Sequence, residues 1–74
     1  MKVKNKIKIT VNGTQIQVIS NFSMKRLIAK LKIPLNKIAI ELNKKIIDKK
    51  RISKIYLQKG DKIEIVHFIE ADNG

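Results

Sequence analysis

One histidine, no cysteine and six acidic residues are a sparse set from which to build a catalytic centre in this 74-residue chain. Without cysteine there is no thiolate metal ligand, no sulfur nucleophile, no disulfide and no side chain to carry a persulfide. A lone histidine cannot assemble a metal site. His67 shares the parity of Ile63 and Ile65 but sits near the strand end, and no carboxylate or nucleophile is set beside it by spacing, so it reads as a partly exposed strand residue rather than an acid or base. No residue is assigned a catalytic or metal-binding role.

The basic residues are the extreme feature: 17 Lys and Arg against 6 Asp and Glu, a net charge of +11. Lys2, Lys4, Lys6 and Lys8 alternate, an arrangement that on a strand aligns them to neutralise phosphates. Two observations weigh against a nucleic-acid surface. Only Arg26 and Arg51 supply the guanidinium fork that reads bases, and Phe22, Tyr56 and Phe68 are too few for a stacking platform. The Ile-, Lys- and Asn-rich composition is what an AT-rich genome supplies at solvated positions. The lysines are therefore read as wet surface guarding a strand edge, and nucleic acid is set aside as a partner.

The length is that of one small domain. Such a chain buries about 60% of the surface its unfolded form exposes, which leaves little room for a roofed pocket and favours a binding or carrier module over an enzyme. No run approaches the ~20 apolar residues of a membrane span, and the opening MKVKNKIKIT has no apolar stretch of the kind a signal peptide needs. A soluble chain of a cytoplasm, or of a plastid stroma, is expected.

Positioning elements follow from the periodicity. Val3, Ile7, Ile9 and Val11 alternate with Lys4, Lys6, Lys8 and Thr10, the pattern of a half-buried strand. Asn12-Gly13 follows, the dipeptide of a type I′ hairpin turn, and a two-residue turn sets Val11 opposite Thr14, Ile9 opposite Ile16 and Ile7 opposite Val18. Ser23 precedes Met24, Leu27, Ile28 and Leu31, a capped amphipathic helix whose last turn is placed at Lys32-Ile33 before Pro34. Arg26 stands where a capping box would have Glu or Gln. Ile38, Ile40 and Leu42 alternate, and Asn43-Lys44-Lys45 reads as a turn into a very short strand, Ile46-Ile47. Residues 48–58 are irregular, with Ile52, Ile55 and Leu57 as anchors, and Lys59-Gly60-Asp61 launches a last strand from Lys62 to about Ile69.

The remaining Glu70-Ala71-Asp72-Asn73-Gly74 has nothing to bury and no period, so the domain is placed at 1–69 and a flexible tail at 70–74. Glu70 and Asp72 make that tail acidic on a basic body, a charge that steers toward cations on a partner. One helix across a mixed four- to five-stranded sheet is an α+β, two-layer solution, with β-grasp, the ubiquitin-like arrangement, as the leading candidate.

The run Val11-Asn12-Gly13, the Ser-capped helix ending at Leu31, I-A-I-E-L-N at 38–43, K-G-D at 59–61 and I-E-I-V-H-F at 63–68 together resemble the ThiS family of small ubiquitin-like sulfur carriers, in order and over nearly the whole chain. The resemblance implies a carrier that works through its terminal carboxylate. An E1-like adenylating enzyme uses ATP to form an acyl-adenylate on Gly74, a sulfur donor protein displaces AMP to leave a thiocarboxylate, and thiazole synthase takes the sulfur for the thiazole of thiamine. The domain binds no cofactor itself. Family members normally end Gly-Gly, whereas Asn73 precedes Gly74 here. Asparagine is among the residues that tolerate positive φ best, but its side chain needs room in a partner's channel.

Val66 and Phe68 share a parity beside the tail and are candidates, with Asp72 and Asn73, for partner docking; the alternative is that Phe68 closes the edge of the core. Two other functions are weighed. A molybdopterin synthase small subunit also uses a terminal glycine thiocarboxylate, but the shortness of this chain and its I-E-I-V-x-F ending look more like the thiazole carrier. A basic RNA-binding module shares V-x-L-N and G-D-x-I-x-I strands, but such modules usually begin with helices.

Overall fold

A computed structural model of the chain describes residues 5–68. The hairpin forms in the register that the turn dictates: β1, Lys6–Val11, and β2, Thr14–Ile19, pair antiparallel with Val11 opposite Thr14, Ile9 opposite Ile16 and Ile7 opposite Val18. Asn12 and Gly13 both take positive φ, 49° and 83°, as a type I′ turn demands. Ile9 and Val18 are buried, while Lys6, Lys8, Gln15 and Gln17 alternate with them on the other face.

Helix α1, Met24–Leu31, starts at Ser23, whose Oγ accepts a hydrogen bond from the Arg26 N–H at 3.1 Å, satisfying one of the donors a helix start leaves open. It ends at Leu31, and Lys32-Ile33 adds no further turn. Lys32, with φ 58°, adopts the left-handed conformation and turns its N–H onto the carbonyls of Ile28 and Ala29, closing the helix before Pro34 is reached. Met24, Leu27 and Ile28 are buried against the sheet.

A short 3-10 helix, Leu35–Lys37, leads into β3, Ile38–Leu42. Asn43 and Lys44, φ 51° and 72°, then make a second turn with both residues left-handed. This turn is complete in two residues, so β4 is Lys45–Ile46, one position earlier than the composition suggests. The expected irregular stretch contains another 3-10 helix, Lys49–Lys54, started by Asp48, whose carboxylate accepts from the Lys50 N–H. Ile52 and Leu57 are its buried anchors and Ile55 is half-buried. The last strand, β5, is Lys62–His67.

The five strands form one mixed sheet in the order β2-β1-β5-β3-β4, with α1 on one face, the β-grasp arrangement. β5 is central, parallel to β1 and antiparallel to β3. β1 is therefore interior, and Lys6 and Lys8 stand on the open sheet face rather than guarding an edge as expected; the edges are β2 and β4. Lys2 and Lys4 lie outside the described residues. The core joins Ile9 and Val18, the helix residues, Ile38 and Ile40 of β3, and Ile63 and Ile65 of β5. Among the described residues no helix is long and apolar enough to cross a membrane.

Asn12 does more than turn the chain. Its Oδ1 accepts from the Ile65 N–H at 2.7 Å and its Nδ2 donates to the Ile65 carbonyl at 3.2 Å, while its backbone N–H donates to the Ile63 carbonyl. The side chain is thus an extra rung of the β1–β5 ladder. Asn12→Gly keeps the turn geometry but loses that rung, and is expected to cost about 1–2 kcal/mol. Asn12→Ala should cost about 1–2 kcal/mol more, because alanine also meets the left-handed penalty. Urea denaturation of both variants checks this; wild-type stability in Asn12→Gly would show that the rung contributes nothing.

Candidate functional site

The sequence places its chemistry at the end of β5, so what matters is how that end is held. Antiparallel pairing to β3 runs from Leu42 opposite Ile63 to Ile38 opposite His67, and the Phe68 N–H donates to the Lys37 carbonyl at 3.0 Å, one step beyond the strand. Alternation buries Ile63 and Ile65 and turns Glu64 and Val66 to the open face. His67 has the inward parity but sits past the covered part of the sheet and is exposed.

Val66 and Phe68 are 52% and 46% exposed. Phe68 is absent from the core cluster; its ring lies 5.3 Å from the Lys49 ammonium, within the range of a cation–π contact. Lys49 is half-buried and donates to the carbonyls of Leu35, at 3.1 Å, and Ile38, at 2.7 Å. One lysine therefore ties together the entry to β3, the second 3-10 helix and the last described side chain of β5. Nothing in the sequence distinguishes it from fourteen other lysines.

Ile46, 78% exposed, is a second feature that sequence reasoning missed. Its signal was the Ile46-Ile47 pair: on a strand one must face out, and here Ile47 packs on the core while Ile46 pairs opposite Glu41 on the open face. Asp72, Asn73 and Gly74, with Glu70 and the rest of the expected tail, lie outside the described residues.

No group of three or more His, Asp and Glu able to hold a metal exists among the described residues. A recess of about 210 Å³ on the β2 side, lined by Lys6, Gln17, Val18, Ile19, Phe22 and Lys30, contains no carboxylate, imidazole or hydroxyl. What the β5 end presents is exposed Val66 and Phe68, with the Lys49 ammonium against the Phe68 ring.

Comparison with known proteins agrees with this architecture. The ThiS family profile matches residues 9–70. A thiazole synthase of Paramagnetospirillum magneticum is 30% identical over 63 residues; the match takes in 85% of this chain but 19% of that protein, so the chain spans about a fifth of the length of that relative. A crystal structure of a thiamine biosynthesis protein (ThiS) from Geobacter metallireducens superposes with a TM-score of 0.78 at 22% identity, covering 89% of this chain and all of that one. A solution structure of a thiamine biosynthesis protein from the same organism gives 0.70 at 21% identity, covering 90% of each chain. At these identities the structures establish the shared fold.

The Lys49 contacts lead to a direct test. Lys49→Met removes both carbonyl bonds and the charge over the ring, and is expected to destabilise by about 1.5 kcal/mol and to speed hydrogen exchange at the Phe68 amide; Lys49→Arg should recover most of both. Unchanged exchange at Phe68 in Lys49→Met would show that the strand end is held without it.

Proposed function

The chain belongs to the ThiS family, and from that membership we propose that it is a sulfur carrier of thiamine biosynthesis whose reactive group is the carboxylate of Gly74. A carboxylate is a poor electrophile. An E1-like adenylating enzyme therefore transfers AMP from ATP to the Gly74 carboxylate with release of pyrophosphate, and hydrosulfide-level sulfur delivered by a donor protein attacks the acyl carbon, its C–S bond forming as the C–O bond to AMP breaks, to leave a thiocarboxylate and free AMP. Thiazole synthase consumes that sulfur. ATP belongs to the activating enzyme, and the carrier supplies presentation.

The observation that carries the reading is the placement of the strand end. β5 is secured through Phe68 by Lys37 and Lys49, and the sequence continues for six residues to Gly74. Six extended residues reach about 20 Å, enough to bring a terminal carboxylate into a partner's catalytic centre while the folded body stays outside. Glycine at the end has no Cβ to obstruct a narrow channel.

Thiazole synthase as the acceptor is supported by the relative of that name, which contains within one polypeptide a segment like this chain. Asn73 is compatible with this chemistry. Asn12, Asn21 and Asn43 all adopt positive φ in the described part of the molecule, 49°, 65° and 51°, and Asn12 does so directly before Gly13, so asparagine is a residue on which this sequence already relies for left-handed backbone. Exposed Val66 and Phe68, next to the tail, form the docking surface in this reading.

Intact-mass measurement after incubation with a thiamine-pathway adenylating enzyme, ATP and a sulfur donor tests it. The expected result is an increase equal to one oxygen replaced by one sulfur in the wild type and in Asn73→Gly, and none when Gly74 is deleted. Modification of Asn73→Gly alone would show that Asn73 blocks activation; no modification of either, with a Gly-Gly carrier reacting as control, would overturn the proposal.

A further inference from the structure

Two of the four acidic residues in the described part of the molecule serve the fold. Asp48 starts the second 3-10 helix, and Asp61 accepts from the Gln58 N–H and the Asn43 side chain. The other two, Glu41 and Glu64, face each other directly across the β3–β5 pairing, on the sheet face that α1 does not cover. Side chains so placed stand about 5 Å apart, and like charges there are destabilising. Lys62, two residues before Glu64 on the same face, is the nearest cation by register. The chain has fifteen lysines, any one of which at position 41 or 64 would have made an attractive cross-strand pair.

Away from Lys62 the neighbours of the pair are apolar. The next rung on the same face is Ala39 opposite Val66, and Ile46 stands opposite Glu41 on β4. Exposed Val66 and Ile46 thus flank two carboxylates in the middle of an open sheet, four residues before Phe68. Apolar side chains that exclude water around a charged group are the arrangement in which an interfacial ion pair counts most.

We infer that Glu41 and Glu64 together form a carboxylate clamp for a basic side chain, an arginine or lysine, on the adenylating partner, with Val66 and Ile46 as the apolar rim. This rests on the carrier reading above and names the chemistry of its docking face. The partner is assigned by charge: an enzyme that holds ATP phosphates next to a bound tail carries cations on that side. On a body of net charge +11, general electrostatics repel such a surface, so a local acidic pair is what sets the orientation of approach. A guanidinium between the carboxylates also removes the repulsion that the free carrier bears.

The diagnostic variant is Glu41→Lys, which replaces repulsion by attraction within the free domain and destroys the clamp. The expected result is a melting temperature raised by about 2–4 °C, together with a KM for the carrier in adenylation raised about tenfold, kcat unchanged and a weaker salt dependence of binding. Glu64→Gln should shift KM in the same direction without loss of stability, and serves if Glu41→Lys folds poorly. Gln15→Lys with Gln17→Lys adds the same net charge on β2 of the same face and should leave KM within twofold.

Binding of each variant to the adenylating enzyme is measured by titration calorimetry without ATP, separately from the mass shift. Wild-type binding weakened by Glu41→Lys, with no sulfur incorporated, would sink the carrier chemistry and leave the clamp standing. A higher melting temperature with unchanged KM and affinity would overturn the clamp, as would an equal loss in the Gln15→Lys, Gln17→Lys variant. Loss of capture by thiazole synthase alone would overturn the assignment to the adenylating partner.

Discussion

Everything at the working end of this molecule depends on how β5 is held between two turns. Its parallel ladder with β1 registers only two pairs, Thr10 with Lys62 and Val11 with Ile63. The Asn12 carboxamide prolongs it by gripping both backbone groups of Ile65. On the other side the Asn43 N–H donates to the Lys62 carbonyl, its Oδ1 accepts from the Lys62 N–H, and its Nδ2 reaches Asp61. Each asparagine is the first residue of a tight turn with positive φ, so the residue that reverses one hairpin also adds a rung to the central strand. A buried ladder group without a partner costs about as much as a lost hydrogen bond, and both turns prevent that cost where the backbone ladder runs short.

Beyond Ile65 the situation changes. β1 has ended, and Val66 to Phe68 are held from the β3 side, by Ala39, Ile38 and the Lys37 carbonyl. The chain thus passes from a strand paired on both edges to one paired on a single edge before it leaves the described fold.

How much of this the sequence disclosed follows the range of the interactions. The hairpin register was legible because Asn12-Gly13 leaves two residues and one geometry, and the Ser23 cap because it acts over three residues. That Lys32-Ile33 adds no turn to the helix beyond Leu31 was not legible, because Lys32 adopts a conformation that lysine seldom takes and that glycine would have advertised; the turn after Leu42 was legible, but Lys44 hid that it closes in two residues. β1 was taken for an edge because which strands flank it is decided by β5, near the other end of the chain, and no local pattern records that. At the candidate site the outward parity of Val66 and Phe68 could be read from alternation. The Glu41–Glu64 opposition and the reach of Lys49 to two carbonyls and a ring arise from pairings between distant segments, for which one sequence carries no sign.

One helix of eight residues can cover only one face of a five-stranded sheet, and that fact links the size of the domain to its mode of action. The covered face takes Ile9, Ile40, Ile63 and Ile65 into the core, and the other face has to remain soluble with no second layer over it. Lysines and glutamines achieve this on β1 and β2. On the β5, β3 and β4 side the same face instead exposes Val66 and Ile46 around two opposed carboxylates, a choice that solubility and sheet stability both disfavour. In the clamp proposal, that surface is the one a partner covers. In the function proposed above the chemistry is done in a partner, and the open half of the sheet is the face the clamp proposal assigns to reaching it.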